Sequence, residues 1–139
     1  MEALIVYDSS DGNNRKFAEA IAHRIQKRFD SIKVKAIPET KAQDINSCDV
    51  LYLGSGARGM LFFDKKPEKT WTDFVSSLPA FEGKKTVLFT TYKFSASGMF
   101  RKMKEYLHPK KFKIIGSMKS RLGEVNYHSF AVLKYSVNY

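Results

Sequence analysis

The chain has a single cysteine, Cys48, which excludes an internal disulfide, and only three histidines, which are scattered. No Cys/His cluster has the spacing of a metal site. No apolar run approaches the length of a membrane-spanning helix. Near the N-terminus, five apolar residues separate Glu2 from Asp8, too few for the core of a secretory signal. These absences predict a soluble cytoplasmic protein in a reducing compartment. Acid is also scarce: 14 Asp and Glu stand against 24 Lys and Arg, a net charge of +10. Residues 1–57 carry eight of each sign, so residues 58–139 hold 16 basic and six acidic side chains. The densest basic stretch, from Arg101 to Arg121, contains eight cations against Glu105 alone. Such a surplus speaks to solubility and to partners of negative charge rather than to fold.

A length of 139 residues, 43% of them hydrophobic, allows one core and is short for two. A single domain over residues 1–139 is the expectation. Ala3 to Tyr7 is a continuous apolar run, the mark of a strand buried on both faces. Phe17, Ala18, Ile21, Ala22 and Ile25 then recur at helical spacing. Ile32, Val34 and Ala36 alternate with Lys33 and Lys35, which reads as a strand at the sheet edge with one wet face. A second buried run, Asp49 to Gly54, leads into a glycine-rich segment, Gly54 to Gly59. A helix is predicted from Pro67 to Leu78 with Trp71, Phe74, Val75 and Leu78 on one face. Thr86 to Tyr92 is a fourth strand, Met99, Met103 and Leu107 line a further helix, and Phe112 to Ile115 form a fifth strand stopped at Gly116. Tyr127, Phe130, Leu133 and Val137 suggest a short final helix. The alternation of strands and helices predicts an α/β fold with a parallel sheet and helices on both faces.

Ligands of such sheets lie beyond the carboxyl ends of the strands. Three loops converge there. The first, Ser9-Ser10-Asp11-Gly12-Asn13-Asn14, stands between a strand and a helix start. A helix start offers unpaired amides and partial positive charge, as a phosphate requires. Gly12 admits close backbone approach, and Ser9, Ser10, Asn13 and Asn14 supply side-chain donors. Asp11 cannot donate while ionised; it either faces a phosphate at a cost or turns away to cap the helix, with Arg15 beside it to offset its charge. The same residue types also make a well-capped turn without any ligand.

The strand, this loop and the helix after it resemble the phosphate loop of the flavodoxins, whose usual pattern is hydroxyl, any residue, Thr, Gly, Asn or Gln, Thr. Asp11 and Asn14 depart from it. The Asp-Gly pair after two hydroxyls is similar to the loop of the flavodoxin-like menaquinone-dependent protoporphyrinogen oxidases. The resemblance implies a five-stranded sheet of order 2-1-3-4-5 and FMN as cofactor. It places the phosphate in the first loop and the ring between two others. Ser55, Gly56, Ala57, Arg58, Gly59 and Met60 would form one of these loops, with Met60, Phe62 or Phe63 as a stacking side chain. Thr91, Tyr92 and Phe94 would belong to the other, Tyr92 or Phe94 covering the second ring face and Thr91 and Ser97 giving polar contacts.

The implied role is electron transfer without a catalytic triad of the chain's own. Flavodoxins are ordinarily acidic, so the basic charge calls for a redox partner with an acidic or neutral docking face. Two alternatives remain open. One is a flavin-dependent oxidoreductase of the protoporphyrinogen oxidase type, with a peripheral anionic membrane as a possible surface. The other is a flavin-free module that binds polyanions, although no sequence-specific nucleic-acid motif supports it. A phosphorylatable receiver domain is disfavoured by the absence of aspartate in Leu53-Gly54-Ser55, and a phosphatase by the sequence after Cys48.

Overall fold

A computed structural model describes residues 1–10, 12–58, 65–93 and 95–138, with the backbone alone at Arg58. Five strands run parallel: β1 (Glu2–Tyr7), β2 (Ser31–Ala36), β3 (Val50–Arg58), β5 (Lys85–Thr91) and β6 (Lys113–Ser120). Their order is β2-β1-β3-β5-β6, which is the expected 2-1-3-4-5 once the two-residue β4 (Lys66–Pro67) is set aside. The helices are α1 (Gly12–Ile25), α2 (Ala42–Ser47), α3 (Lys69–Ser77), α4 (Met99–Leu107) and α5 (Tyr127–Asn138).

Strand alternation sorts the apolar residues into two cores. Leu4 and Val6, Leu51 and Leu53, and Leu88 face α2, α3 and α4, where Ile45, Trp71, Val75, Met99, Met103 and Leu107 are buried. Ala3 and Ile5, Val50 and Tyr52, and Val87 and Phe89 face α1 and α5, meeting Phe17, Ala18, Ile21, Ile25 and Leu133. Each large apolar side chain so buried contributes about 1.5–3 kcal/mol.

Several boundaries differ from the sequence reading. Gly54 to Arg58 continue β3 rather than opening a loop. Gly54 is there because Phe89 of the neighbouring strand lies over it: a Cβ would sit 2.1 Å from that ring. Pro67 does not begin α3; it pairs with Ala57 in the antiparallel β4, where a missing amide is tolerated at an edge. Gly116 does not stop β6. The strand bulges at Ile115 and runs on to Ser120, and Gly116 lets α5 approach, since a Cβ would meet Val132 Cγ1 at 2.7 Å. The final helix forms, yet its buried residues are Ser129, Leu133 and Ser136, whereas Tyr127 and Phe130 are exposed. On β2, Val34 is exposed and Lys35 pairs with Asp44 at 3.1 Å, so the expected alternation breaks while the edge position holds.

Candidate functional site

At the carboxyl ends of β1, β3 and β5, one buried carboxylate collects four donors. Asp8, the first residue after β1, is 1% exposed. Its Oδ1 accepts the Ser10 amide at 3.0 Å, the Ser10 hydroxyl at 2.7 Å and the Thr70 hydroxyl at 3.3 Å; its Oδ2 accepts the Gly56 amide at 3.4 Å. Three segments distant in sequence are thereby tied: the β1–α1 loop, β3 and the first turn of α3. Four donors compensate a charge whose burial would otherwise cost several kcal/mol.

Asn14 makes the complementary link. It is fully buried, its Oδ1 accepts the Asp8 amide at 2.8 Å, and its Nδ2 donates to Thr91 Oγ1 at 3.3 Å, joining β1 to β5. The sequence reading gives Asn14 and Thr91 to a ligand; in the structure both side chains work inside the protein. The same holds for Ser55, whose hydroxyl donates to the Gly56 carbonyl at 2.8 Å and accepts the Glu68 amide at 3.1 Å. Its carbonyl accepts from Thr90 at 2.7 Å. These residues fix the frame and leave the surface to others.

Ser9, Ser10 and Gly12 are on that surface, and Asn13 is half-buried. Gly12 opens α1, whose first turn holds no acid, so the amide end of a 14-residue helix faces this edge. Among the described residues, chain neighbours and the helix's own backbone aside, nothing lies within 4 Å of the place a Cβ on Gly12 would take. Arg15 pairs with Glu19 at 3.1 Å along the helix. Asp11, Gly59, Met60, Phe62, Phe63 and Phe94 lie outside the described residues. Ala57 and Arg58 belong to β3 and pair with β4.

The third wall comes from the end of β5 and the loop after β6. Tyr92, half-buried, donates its amide to the Ser120 carbonyl at 3.2 Å. With Ser120, Arg121, Leu122, Glu124 and Asn126 it lines a cleft. Arg121 Nε and Nη2 donate to the Lys93 carbonyl at 3.2 and 3.0 Å and hold the segment after β5. The Ser120 hydroxyl caps the next turn by accepting the Gly123 and Glu124 amides at 3.0 and 2.8 Å. Lys65 donates its amide to the Ser97 carbonyl at 3.2 Å, docking the chain before β4 on the β5–α4 connection. The Ser97 amide donates to the Ser95 hydroxyl oxygen at 3.0 Å.

Thr70 and Arg121 were not among the residues expected here, and Asp8, where the first loop begins, was given no role of its own. Asp8 had a local signal, an acid directly after a buried strand with Ser two positions on, the pattern of an Asx turn. Thr70 and Arg121 had none, because their partners are 62 and 28 residues away.

The arrangement is an anion-accepting helix start beside two strand ends, with an aromatic at the far wall. The fit to a flavin phosphate is supported by the exposed Ser9 and by the open space at Gly12, while the Ser10 hydroxyl is already donated to Asp8. Among the described residues no three His, Cys, Asp or Glu side chains group as a metal site, and no helix is long and apolar enough to cross a membrane.

Comparison with known proteins agrees with the topology. The chain superposes on the two-electron reduced flavodoxin of Megasphaera elsdenii with a TM-score of 0.79 at 21% identity, over 99% of both chains. A flavodoxin of Streptococcus pneumonia TIGR4 gives 0.73 at 11% identity over 99% and 96%, and flavodoxin 2 of Bacillus cereus gives 0.72 at 16% over 99% and 96%. At such identities the likeness is one of fold. No curated protein matches the sequence significantly. The model of the flavodoxin domain matches residues 4–125, from β1 through the loop after β6, and the chain therefore belongs to the flavodoxin domain family.

Proposed function

We propose that this protein binds FMN at the carboxyl edge of β1, β3 and β5 and transfers electrons between partner proteins in the cytoplasm. The observation that carries the reading is the exposed first turn of α1 at Gly12, with Ser9 and Ser10 beside it and the ends of β3 and β5 drawn to the same edge by Asp8 and Asn14. The amides of this turn and the hydroxyl of Ser9 would hold the phosphate, with Asn13 as a further donor. Gly12 leaves the backbone accessible, so the phosphate needs no lysine or arginine of its own. Gly56, Ala57 and Tyr92 would border the ring, with Met60 and Phe94 as proposed companions. Bound FMN supplies reversible uptake of one or two electrons; the protein's part is to orient the ring, exclude water from one side and present its edge.

Basic side chains around the edge, Lys93 and Arg121 among them, suit a redox partner with an acidic or neutral docking face, and docking should weaken as salt rises.

The test is an absorbance spectrum of the purified protein, followed by titration of any cofactor-free fraction with FMN and with riboflavin. A flavin spectrum, or FMN binding at least tenfold tighter than riboflavin binding, supports the reading. Colourless protein that takes up neither flavin overturns it.

A further inference from the structure

Away from that edge, α1 and α5 lie side by side and enclose a cleft of about 260 Å³. Its floor is Ile25, Leu133 and Val137, and its rim carries Arg24, Arg28 and Lys134. The Arg24 guanidinium lies 5.4 Å from the centre of the Phe130 ring, which is 45% exposed. A shallow basin continues along α1 through His23, Gln26 and Lys27. No acid lines either depression. The nearest acids along the chain are engaged or lie outside them: Glu19 pairs with Arg15, Asp30 binds the N-terminal amine, and Glu124 lies in the loop before α5.

The side chains form two stripes. On α5, Tyr127, Phe130 and Lys134 stand at steps of three and four residues and share one face; Tyr127 is 90% exposed. Arg24, Lys27 and Arg28 do the same at the end of α1 and the turn after it. Exposed aromatics are set here between long cationic side chains over an apolar floor. They match a surface that is negative outside and apolar beneath.

We propose that the α1–α5 face docks on a bilayer bearing anionic headgroups. Arg24, Lys27, Arg28 and Lys134 would reach the headgroups, and Phe130 and Tyr127 would enter the interfacial layer, where amphipathic rings settle. A bilayer fits better than an acidic peptide, because this face is built of helix side chains and offers no strand edge to pair with a peptide backbone. The cleft is lined by the C-terminal end of α1 and the later turns of α5, and none of its residues belongs to the flavin edge. The inference stands whether or not flavin binds.

The experiment is co-sedimentation with vesicles of phosphatidylcholine alone and of phosphatidylcholine containing roughly a third phosphatidylserine, at low and at physiological salt; each juxtaposed cation is worth roughly a several-fold change in partition. The protein should sediment with the anionic vesicles only, and less as salt rises. The pair Arg24→Glu and Lys134→Glu should lower partition at least tenfold. Phe130→Ser, which leaves the charge unchanged, should lower it at least threefold. The same charge change placed elsewhere, Lys33→Glu with Lys104→Glu, should lower it less than threefold, with thermal melts checking that each variant folds. Failure to sediment with anionic vesicles in dilute salt overturns the proposal. So does an equal loss in the control pair, which would mark a general charge effect.

Discussion

The Asp8 carboxylate accepts both the amide and the hydroxyl of Ser10 on a single oxygen, at 3.0 and 2.7 Å. The residue that ends β1 thus sets the conformation of the loop that follows. Its other oxygen takes the Gly56 amide, so loop and strand β3 move as one piece.

Replacing Asp8 by Asn keeps the shape but provides one acceptor oxygen where two served. An amide N–H would then face the Gly56 N–H or the Ser10 donors. We expect a loss of about 1–3 kcal/mol in urea unfolding followed by the fluorescence of Trp71, the chain's only tryptophan. A change below about 0.5 kcal/mol would mean that the four hydrogen bonds are dispensable.

Two glycines should separate ligand from fold. Gly54→Ala drives a Cβ into the Phe89 ring and should cost about 1–3 kcal/mol, partly restored by Phe89→Leu. At Gly12 a Cβ has open space among the described residues, so Gly12→Val should change stability by less than about 1 kcal/mol while lowering FMN affinity tenfold or more. If Gly12→Val unfolds the protein as Gly54→Ala does, Gly12 serves the fold.

The hydroxyl of Ser9 and the amide of Asn14 should part in the same way. Asn14→Ala leaves the buried Asp8 amide without its acceptor and should cost about 1–3 kcal/mol. Ser9→Ala, on the surface, should leave the urea midpoint unchanged and weaken FMN relative to riboflavin. Equal affinity for the two flavins in wild type and in Ser9→Ala would remove Ser9 from the phosphate site.

Alkaline stability follows from two buried groups. Burial pushes the Cys48 thiol up to about 11 from 9.0 and the Tyr52 phenol up to about 12 from 10.0, the latter despite a 2.7 Å hydrogen bond with Ser136. Between these values the folded chain keeps protons that the unfolded chain releases, so unfolding is favoured as pH rises. Their contribution is complete below pH 9 and is lost between about pH 9 and 12. Melting temperature should fall across that window, and Tyr52→Phe should flatten the upper part of the fall while costing about 1 kcal/mol at neutral pH. An unchanged slope in Tyr52→Phe would show that other groups govern it.

The five parallel strands and four of the five α-helices were legible in the sequence because each has a strong period; α2 was not, because its six residues bury Ile45 alone. The continuous run of β1 and the helical repeat of Phe17, Ala18, Ile21 and Ile25 have one sensible reading. Strand ends were not. Gly54 and Gly116 look like breaks along the chain, and only the neighbours Phe89 and Val132 reveal that the missing side chains make room.

The candidate site divides on the same line. Local chemistry determined that a small-residue loop opens α1 at the carboxyl edge of a parallel sheet, since hydroxyls, amides and glycine between a buried strand and an amphipathic helix suit nothing else so well. Tertiary structure decided which of those polar side chains face outward. Asn14 read as a donor for a ligand, Thr91 as a polar contact and Ser55 as part of a ring-binding loop, but hydrogen bonds to groups 6, 77 and 13 residues away turn them inward, while Asp8 becomes the joint between three segments. A polar side chain in a loop has many partners within reach of its type. Which one it takes depends on what the fold brings beside it, and burial then makes that choice obligatory.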